Sequence, residues 1–497
     1  MFTQVGKYDI IGPRGLESSD PRCFLCRCDG RKIWPFDHVS HTAHGLDSRI
    51  ITRRCCSIEG FDKDYFELPD DIEQPEEVRE DRPKKKKKKK KRSALRVFAV
   101  LLCIVLFCEL LYCFVVFTDI GAIKSLREDF IGTALETNSH RWIADYFMPK
   151  YMVDSVSAKM QYIKNSQVGI ISERPTPTES TAPTETSELP SESTEETEPN
   201  VNAAEEAFYE LFWELNRSSF EDYLDEHPDV LANGWENIYI NEAGLYDEGT
   251  TIYTSQGEQV LAVDAKNQIL LVRVTGTGYL GVLAICKDPS QLRCEASEGI
   301  GRYGQTMGEI VEGSGGVIGM TGSGFYDPEG GGNGGILAGY TMCEGVGYGI
   351  HYNESGYKRI ELATDNRFYI CDSNTETTPD TTDAVEFSPA LIIDGELMVG
   401  GFYDWNGINP RAAIGQSERG EILMLVIEGR QVGRSIGTDV ETCAHILKRH
   451  EGYTAMSVDG GTSAVMYYDG EYVTRCSNLN ISSRLLPNAW VYGNYDE

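Results

Sequence analysis

The longest unbroken apolar stretch is 93–117, SALRVFAVLLCIVLFCELLYCFVVF, interrupted only by Arg96 and Glu109. A helix rising about 1.5 Å per residue spans a hydrocarbon core of about 30 Å over that length. Eight consecutive lysines, Lys84 to Lys91, and then Arg92 stand directly before it. Positive flanks stay on the cytoplasmic side, so the pattern predicts a single-pass anchor with its N-terminal side inside and the C-terminal bulk outside. Cleaved signals begin within the first residues of a chain, and this run begins far later.

After the anchor the pattern changes three times. Residues 118–172 alternate apolar and polar positions at helical spacing and predict a membrane-proximal helical stalk. Residues 173–200 are almost entirely Ser, Thr, Pro and Glu. Such a composition cannot bury a core, which predicts an extended linker. Residues 201–497 form the remaining module. It opens with a helical pattern over 203–227 and continues with strand-like runs in 268–289. Further strands are expected at 316–320, 389–393, 421–428, 454–458, 463–468 and 489–492, with Asp-Gly turns at 394–395 and 469–470. A short helix is expected over 306–312. Another is expected after Thr438-Asp439-Val440-Glu441, read as a capping box, with Val440, Cys443, Ala444 and Leu447 on one face. The mixture predicts an α+β fold: a mixed β-sheet domain with flanking helices, carried on a single transmembrane anchor.

Charge sharpens this division. The chain has 497 residues and a net charge of −31. Residues 1–92 carry 21 basic and 17 acidic side chains, the anchor one of each, and 118–497 carry 24 and 59. All the excess acidity therefore lies beyond the anchor. An acidic module argues against a nucleic-acid partner, whose binding surface would be basic.

Residues 1–92 read as a polar, mostly disordered cytoplasmic tail. Its Cys23, Cys26, Cys28, His38, His41, His44, Cys55 and Cys56 match no standard zinc spacing. Beyond the anchor and its own cysteines stand Cys286, Cys294, Cys343, Cys371, Cys443 and Cys476. An even number in an oxidising space permits disulfides, and six cysteines allow about 15 pairings. Cys286 and Cys294 are nearest in sequence, and Cys443 fits a plain core position.

Four segments carry candidate chemistry. Gly276-x-Gly278-x-x-Gly281 imitates a dinucleotide fingerprint, but that motif must open a helix, and here a second strand follows. A hairpin explains it better. The second segment, 313–335, is glycine-rich and sets Gly324, Phe325 and Asp327 directly after a strand. In the third, Arg411 stands before one strand, and Glu428 and Arg430 stand after the next. An arginine fork suits phosphate. In the fourth, a short apolar strand delivers Asp459, followed by Gly460, Gly461, Thr462 and Ser463. Ser463 is no esterase nucleophile, because Gly-x-Ser-x-Gly fails at Val465.

The last three of these blocks, in this order, resemble the phosphodiester glycosidase family. The family's glycine-rich block is similar to Thr321-Gly322-Ser323-Gly324-Phe325-Tyr326-Asp327. Its arginine block is similar to Pro410 to Gly415 followed by Glu428-Gly429-Arg430, and its aspartate-glycine block to Val458 to Ala464. The closing segment Arg484 to Tyr492 is similar as well. Departures are Thr321 for Asn, Glu428 for Asp, and Thr462 and Ala464 in the last block.

The resemblance implies hydrolysis of a sugar-1-phosphodiester at its glycosidic bond. The substrate would be a phosphodiester-linked glycan or cell-surface polysaccharide. It also implies Asp459 as nucleophile or base, Asp327 as second carboxylate with Glu428 behind it, and Arg411 as phosphate clamp. N–H groups around Gly460 and Gly461 would assist the clamp. Thr462, Ser463 and Arg430 would hold phosphate or sugar. A divalent cation at Asp459 and Asp327 is compatible with the pattern, and nothing in the sequence fixes it. A silent glycan-binding module and a sugar-phosphate transferase fit the same topology.

Overall fold

The structure is a computed structural model, described here over residues 89–137, 140–174, 201–352, 355–400 and 407–493. The N-terminal tail with its Cys/His cluster, and nearly all of the Ser/Thr/Pro/Glu linker, lie outside those residues.

The first helix runs Lys89–Phe117. Its apolar part, Leu95–Phe117, has 23 residues, a mean hydropathy of 2.9, and is 6 % buried. Among the described residues it is the one helix long and apolar enough to cross a membrane. An apolar surface left open to this extent has no partner within the fold.

The module is built on a nine-stranded sheet. Its order is 239–241, 259–264, 269–276, 279–286, 422–427, 411–417, 452–458, 390–393 and 396–397, and every neighbouring pair is antiparallel. The middle strand, Ile422–Ile427, shows why both faces are covered. All six residues are apolar and buried. Ile422, Met424 and Val426 point into one core, and Leu423, Leu425 and Ile427 into another. A strand alternates its side chains, so a continuous apolar run demands a layer on each side. Each such side chain contributes about 1.5–3 kcal/mol on burial. Helices cover the second face, among them Val440–Arg449 through Val440, Cys443, Ala444 and Leu447. Two five-stranded sheets cover the first. One has the order 368–372, 358–363, 381–387, 340–343 and 346–349. The other has 471–472, 466–468, 318–321, 488–492 and 292–296. The observed fold is α+β, with mixed helices and antiparallel sheets.

Several local expectations meet a physical correction. The helix expected over 203–227 is two helices, Val201–Leu211 and Arg217–Glu226. A turn over 212–214 separates them, and Asn216 caps the second by accepting from the Ser219 N–H at 3.1 Å. Asp439, rather than Thr438, caps Val440–Arg449 by accepting from the Thr442 N–H at 2.7 Å. Thr438 exchanges both backbone bonds with Asn409 and so stays extended. A capping box does occur at Thr306 and Glu309, opening Met307–Ser314. The glycine-rich decoy is a hairpin, with Gly276 opposite Tyr279.

The segment beyond the apolar helix is helical, as Gly121–Leu135, Arg141–Phe147 and Lys150–Ser166. It does not stand apart from the module. The Gln167 side chain bonds both the N–H and the carbonyl of Ala390 at 3.0 Å, and Ser172 accepts from the Ile370 N–H on its hydroxyl at 2.9 Å and donates its own backbone N–H to the Ile370 carbonyl at 2.8 Å. The Lys358 Nζ donates to the Ile170 carbonyl at 2.6 Å. Ile163 is buried in the second core. The Ser/Thr/Pro/Glu stretch therefore joins two parts of one packed body. The stretch was expected to separate the membrane from the module, but the helices before it already lie on the module.

Candidate functional site

Register places the candidate residues at one end of the large sheet. Ala412 pairs with Val458, and Arg411 pairs with Ile427. Because these strands are antiparallel, the start of 411–417 meets the ends of 452–458 and 422–427. Arg411, Asp459 and Glu428 through Arg430 thus leave the sheet along one rim. The glycine-rich block joins them because the Asp459 N–H donates to the Gly322 carbonyl at 3.1 Å. A Cβ on Gly322 would sit 2.4 Å from Asn488 Oδ1, so only glycine fits there. Buried Asn488 in turn accepts from the Ser323 N–H at 2.8 Å and fixes the start of the loop.

This rim opens onto a cavity of about 970 Å³. Its wall includes Gly324, Phe325, Asp327, Arg411, Arg430, Asp459, Gly460, Gly461 and Thr462. Nine of the eleven residues singled out in the sequence therefore share one cavity.

The two aspartates are pushed in opposite directions. Burial moves the Asp459 carboxyl up to about 6, and the Asp327 charge adds to the rise. The neighbouring Ser463 hydroxyl, the Arg484 charge and the Gly460 N–H hold it back only in part. Burial also works on Asp327, but there the opposing groups win. Arg484 Nη1 donates to Oδ2 at 2.8 Å and the Gly332 N–H to Oδ1 at 2.7 Å, and they hold Asp327 below the ordinary carboxylate value. Two nearby carboxyls with opposite shifts form an acid–base arrangement. Arg484 also stacks on Phe325, 4.4 Å from the ring centre.

Arg411 is fixed by the backbone. Its Nε donates to the Thr438 carbonyl at 3.0 Å and Nη2 to the Gly407 carbonyl at 2.6 Å. Its outer edge carries a carboxylate from the helical segment before the linker. Glu136 Oε2 lies 2.8 Å from Nη2, and Oε1 lies 3.3 Å from Nη1. Asn409 Nδ2 donates to Glu136 Oε2 at 2.7 Å. Arg430, held at φ +60°, donates from Nη2 to Thr137 Oγ1 at 3.0 Å and to Asn409 Oδ1 at 2.9 Å. Leu135, Glu136, Thr137, Met160 and Lys164 thus supply one wall of the cavity.

Three assignments change. Glu428 does not face the cavity. Arg434 grips its carboxylate at 2.5 and 2.8 Å, the Arg475 N–H donates to it at 2.9 Å, and it lines a separate cavity of about 190 Å³. Ser463 is 1 % exposed and lies behind the wall. The Gly461 N–H is already donated to the Pro410 carbonyl at 2.9 Å, so it is not a free anion donor. Glu136, Asn409 and Arg484 were not singled out as site residues. Arg484 heads the closing block that resembles the family, which was the one signal for it. Glu136 belongs to an ordinary amphipathic helix, and only the tertiary fold brings it to Arg411. A metal reading gains no donor set: among the described residues no group of three or more metal-ligating side chains is assembled.

Residues 314–492 match the phosphodiester glycosidase family. No curated protein matches the chain. Among solved structures, the zebrafish N-acetylglucosamine-1-phosphodiester alpha-N-acetylglucosaminidase catalytic domain, described as auto-inhibited by its pro-peptide, is similar at 13 % identity and a TM-score of 0.37. That match covers 46 % of this chain and 82 % of the zebrafish one. A hypothetical protein from Synechocystis is similar at 12 % identity and a TM-score of 0.34, covering 48 % and 65 %. A putative exported protein from Burkholderia pseudomallei is similar at 14 % and 0.33, covering 44 % and 75 %. The matched segment, 314–492, holds Asp327, Arg411, Arg430, Asp459 and Arg484, and over it the chain is similar to the phosphodiester glycosidase family.

Proposed function

We propose that this chain hydrolyses the glycosidic bond of a sugar-1-phosphodiester presented on a cell-surface glycan. The observation that carries the reading is the pairing of two oppositely shifted aspartates with a backbone-fixed arginine in one large cavity.

In this reaction the bond between the anomeric carbon and the phosphate oxygen breaks. The phosphomonoester leaves with that oxygen, and water supplies the new oxygen on the sugar. A phosphate leaves with little protonation, so the demands on the site are charge at the phosphate and a carboxylate at the anomeric carbon. Arg411 offers a rigid two-point donor edge for the phosphate. Arg430 lies beside it and adds a second positive charge. Above pH 6 Asp459 is mostly ionised, the form that takes a proton from the attacking water or attacks the carbon itself. Asp327, kept ionised by Arg484, stabilises the positive charge that develops on the sugar. In the present arrangement Glu136 occupies the Arg411 edge. A substrate phosphate takes that edge only by displacing the Glu136 carboxylate, so the helical segment tunes access to the site.

The apolar helix and the lysines before it support a reading with the module outside the cell and the N-terminus in the cytoplasm. Attachment next to the membrane suits a polymeric substrate at the surface. The test is release of free sugar from a sugar-1-phosphodiester by the full chain in detergent. Release without any acceptor supports hydrolysis. Product formed only when an acceptor glycan is added would mean transfer instead.

A further inference from the structure

Cys294 and Cys343 come from different sheets, the first from strand 292–296 and the second from strand 340–343. Their sulfurs lie 3.4 Å apart, and both residues are buried. Cys286 and Cys294, the pair nearest in sequence, are not bonded in the structure, and all six module cysteines are free thiols there. Cys294 and Cys343 are the two whose sulfurs are recorded in contact. The approach is not a loose one. Asp383 Oδ1 accepts from the Cys294 N–H at 3.1 Å and from the Glu344 N–H at 2.9 Å, so one buried carboxylate pins both cysteine-bearing strands together.

We propose that Cys294 and Cys343 form a disulfide in the mature protein. The proposal rests on the reading that the module faces an oxidising exterior. A disulfide needs sulfurs about 2.05 Å apart, so small side-chain rotations on fixed strands close the gap. Each thiol loses its proton and together they give up two electrons. The electrons pass to the disulfide of an extracytoplasmic thiol–disulfide oxidoreductase, which becomes a dithiol. In the folded chain burial pushes the Cys294 thiol well above its ordinary value, so little thiolate forms there.

The covalent loop it closes runs from 294 to 343 and contains Gly324, Phe325 and Asp327. The disulfide would hold the loop of the candidate site between two sheets without touching the cavity. Neither cysteine lines the cavity, so its loss would affect stability more than chemistry.

The test uses the full chain purified from its membrane without reductant. Free thiols are alkylated after denaturation, and peptides are mapped before and after reduction. The proposal expects Cys294 and Cys343 to resist alkylation until reductant is added, as a linked peptide pair two hydrogens lighter. Cys286 and Cys443 are expected to alkylate at once. The Cys294→Ala/Cys343→Ala double variant should melt about 5–10 °C lower under non-reducing conditions, as the loss of a long closed loop implies. Immediate alkylation of both cysteines overturns the proposal. Labelling of whole cells with a membrane-impermeant amine reagent separates the causes. A labelled module with free thiols means the pairing is wrong, and an unlabelled module means the outward placement is wrong. Neither outcome depends on glycosidase activity.

Discussion

Glu136 and Arg411, 275 positions apart, meet as a two-point ion pair, with Nη2–Oε2 at 2.8 Å and Nη1–Oε1 at 3.3 Å. Both side chains are largely buried, at 14 % and 13 % exposed. A carboxylate seated on an arginine edge shows that the edge accepts a planar anion through two donors. It also makes the helical segment a competitor for that edge. Glu136→Gln removes the charge and keeps the shape. It should lower KM for a sugar phosphodiester by about 10–150-fold, the scale of one charge-assisted hydrogen bond. A raised KM with a lowered kcat would instead make Glu136 a positioning residue for Arg411. Steady-state kinetics on the full chain decides.

Arg411→Lys should recover little of what Arg411→Ala loses. The Thr438 and Gly407 carbonyls hold the guanidinium in one plane, and an ammonium cannot reproduce two parallel donors. Each variant should lose about 10²-fold or more in kcat/KM, the usual cost of removing a preorganised donor.

Asp459 gives a prediction in which activity and stability move oppositely. Its pKa is raised to about 6, so the folded state holds its proton more tightly than the unfolded state does. Stability from this group is therefore present at low pH and is lost as pH rises from the ordinary carboxylate range through about 6. Asp459→Asn removes that loss and should raise the melting temperature at pH 7–8. The same substitution should cost about 10²–10⁴-fold in kcat. In wild type the acid limb of the kcat/KM profile should fall near pH 6.

Asp327 runs the other way. Its pKa is depressed, so its stabilising contribution is present above the ordinary carboxylate value and is lost as pH falls through the lower folded value. Arg484→Ala removes the Oδ2 partner and lets the pKa of Asp327 rise. The substitution should weaken catalysis and raise the pH at which the protein loses stability in acid. Thermal melts between pH 3 and 6 check the second effect without any substrate.

Glu428→Gln separates family position from active role. Its carboxylate is bound by Arg434 and the Arg475 N–H, away from the main cavity. The variant should lose about 1–3 kcal/mol of stability, because buried charge-assisted bonds are broken, with kcat within about twofold of wild type.

Much of this site was legible because sheet geometry is written locally. Apolar runs such as 422–427 and 452–458 announced buried strands, and the residues flanking them, Arg411 and Asp459, had to leave at strand ends. Motif order then tied those ends to the glycine-rich block. What stayed hidden depends on which side chains meet once the chain has folded. Glu428 lies within the right motif, yet its neighbour Arg434, only six positions away, takes its carboxylate. Glu136 lies in a helix whose sequence resembles many others, and its role comes from docking onto Arg411. Arg484 acts on Asp327 across 157 positions. The pattern of 118–172 predicts a membrane-proximal helical stalk and leaves its docking on the module hidden, because amphipathicity shows that a face is buried and not what buries it.

The central claim is that Asp459 and Arg411 carry hydrolysis of a sugar-1-phosphodiester. The most direct measurement follows free sugar released from an N-acetylglucosamine-1-phosphodiester by the full chain, with Asp459→Asn and Arg411→Ala alongside and the fold of each checked by thermal melt. The account predicts release by wild type and its loss by at least 10²-fold in both folded variants. Release that persists in Asp459→Asn would contradict it.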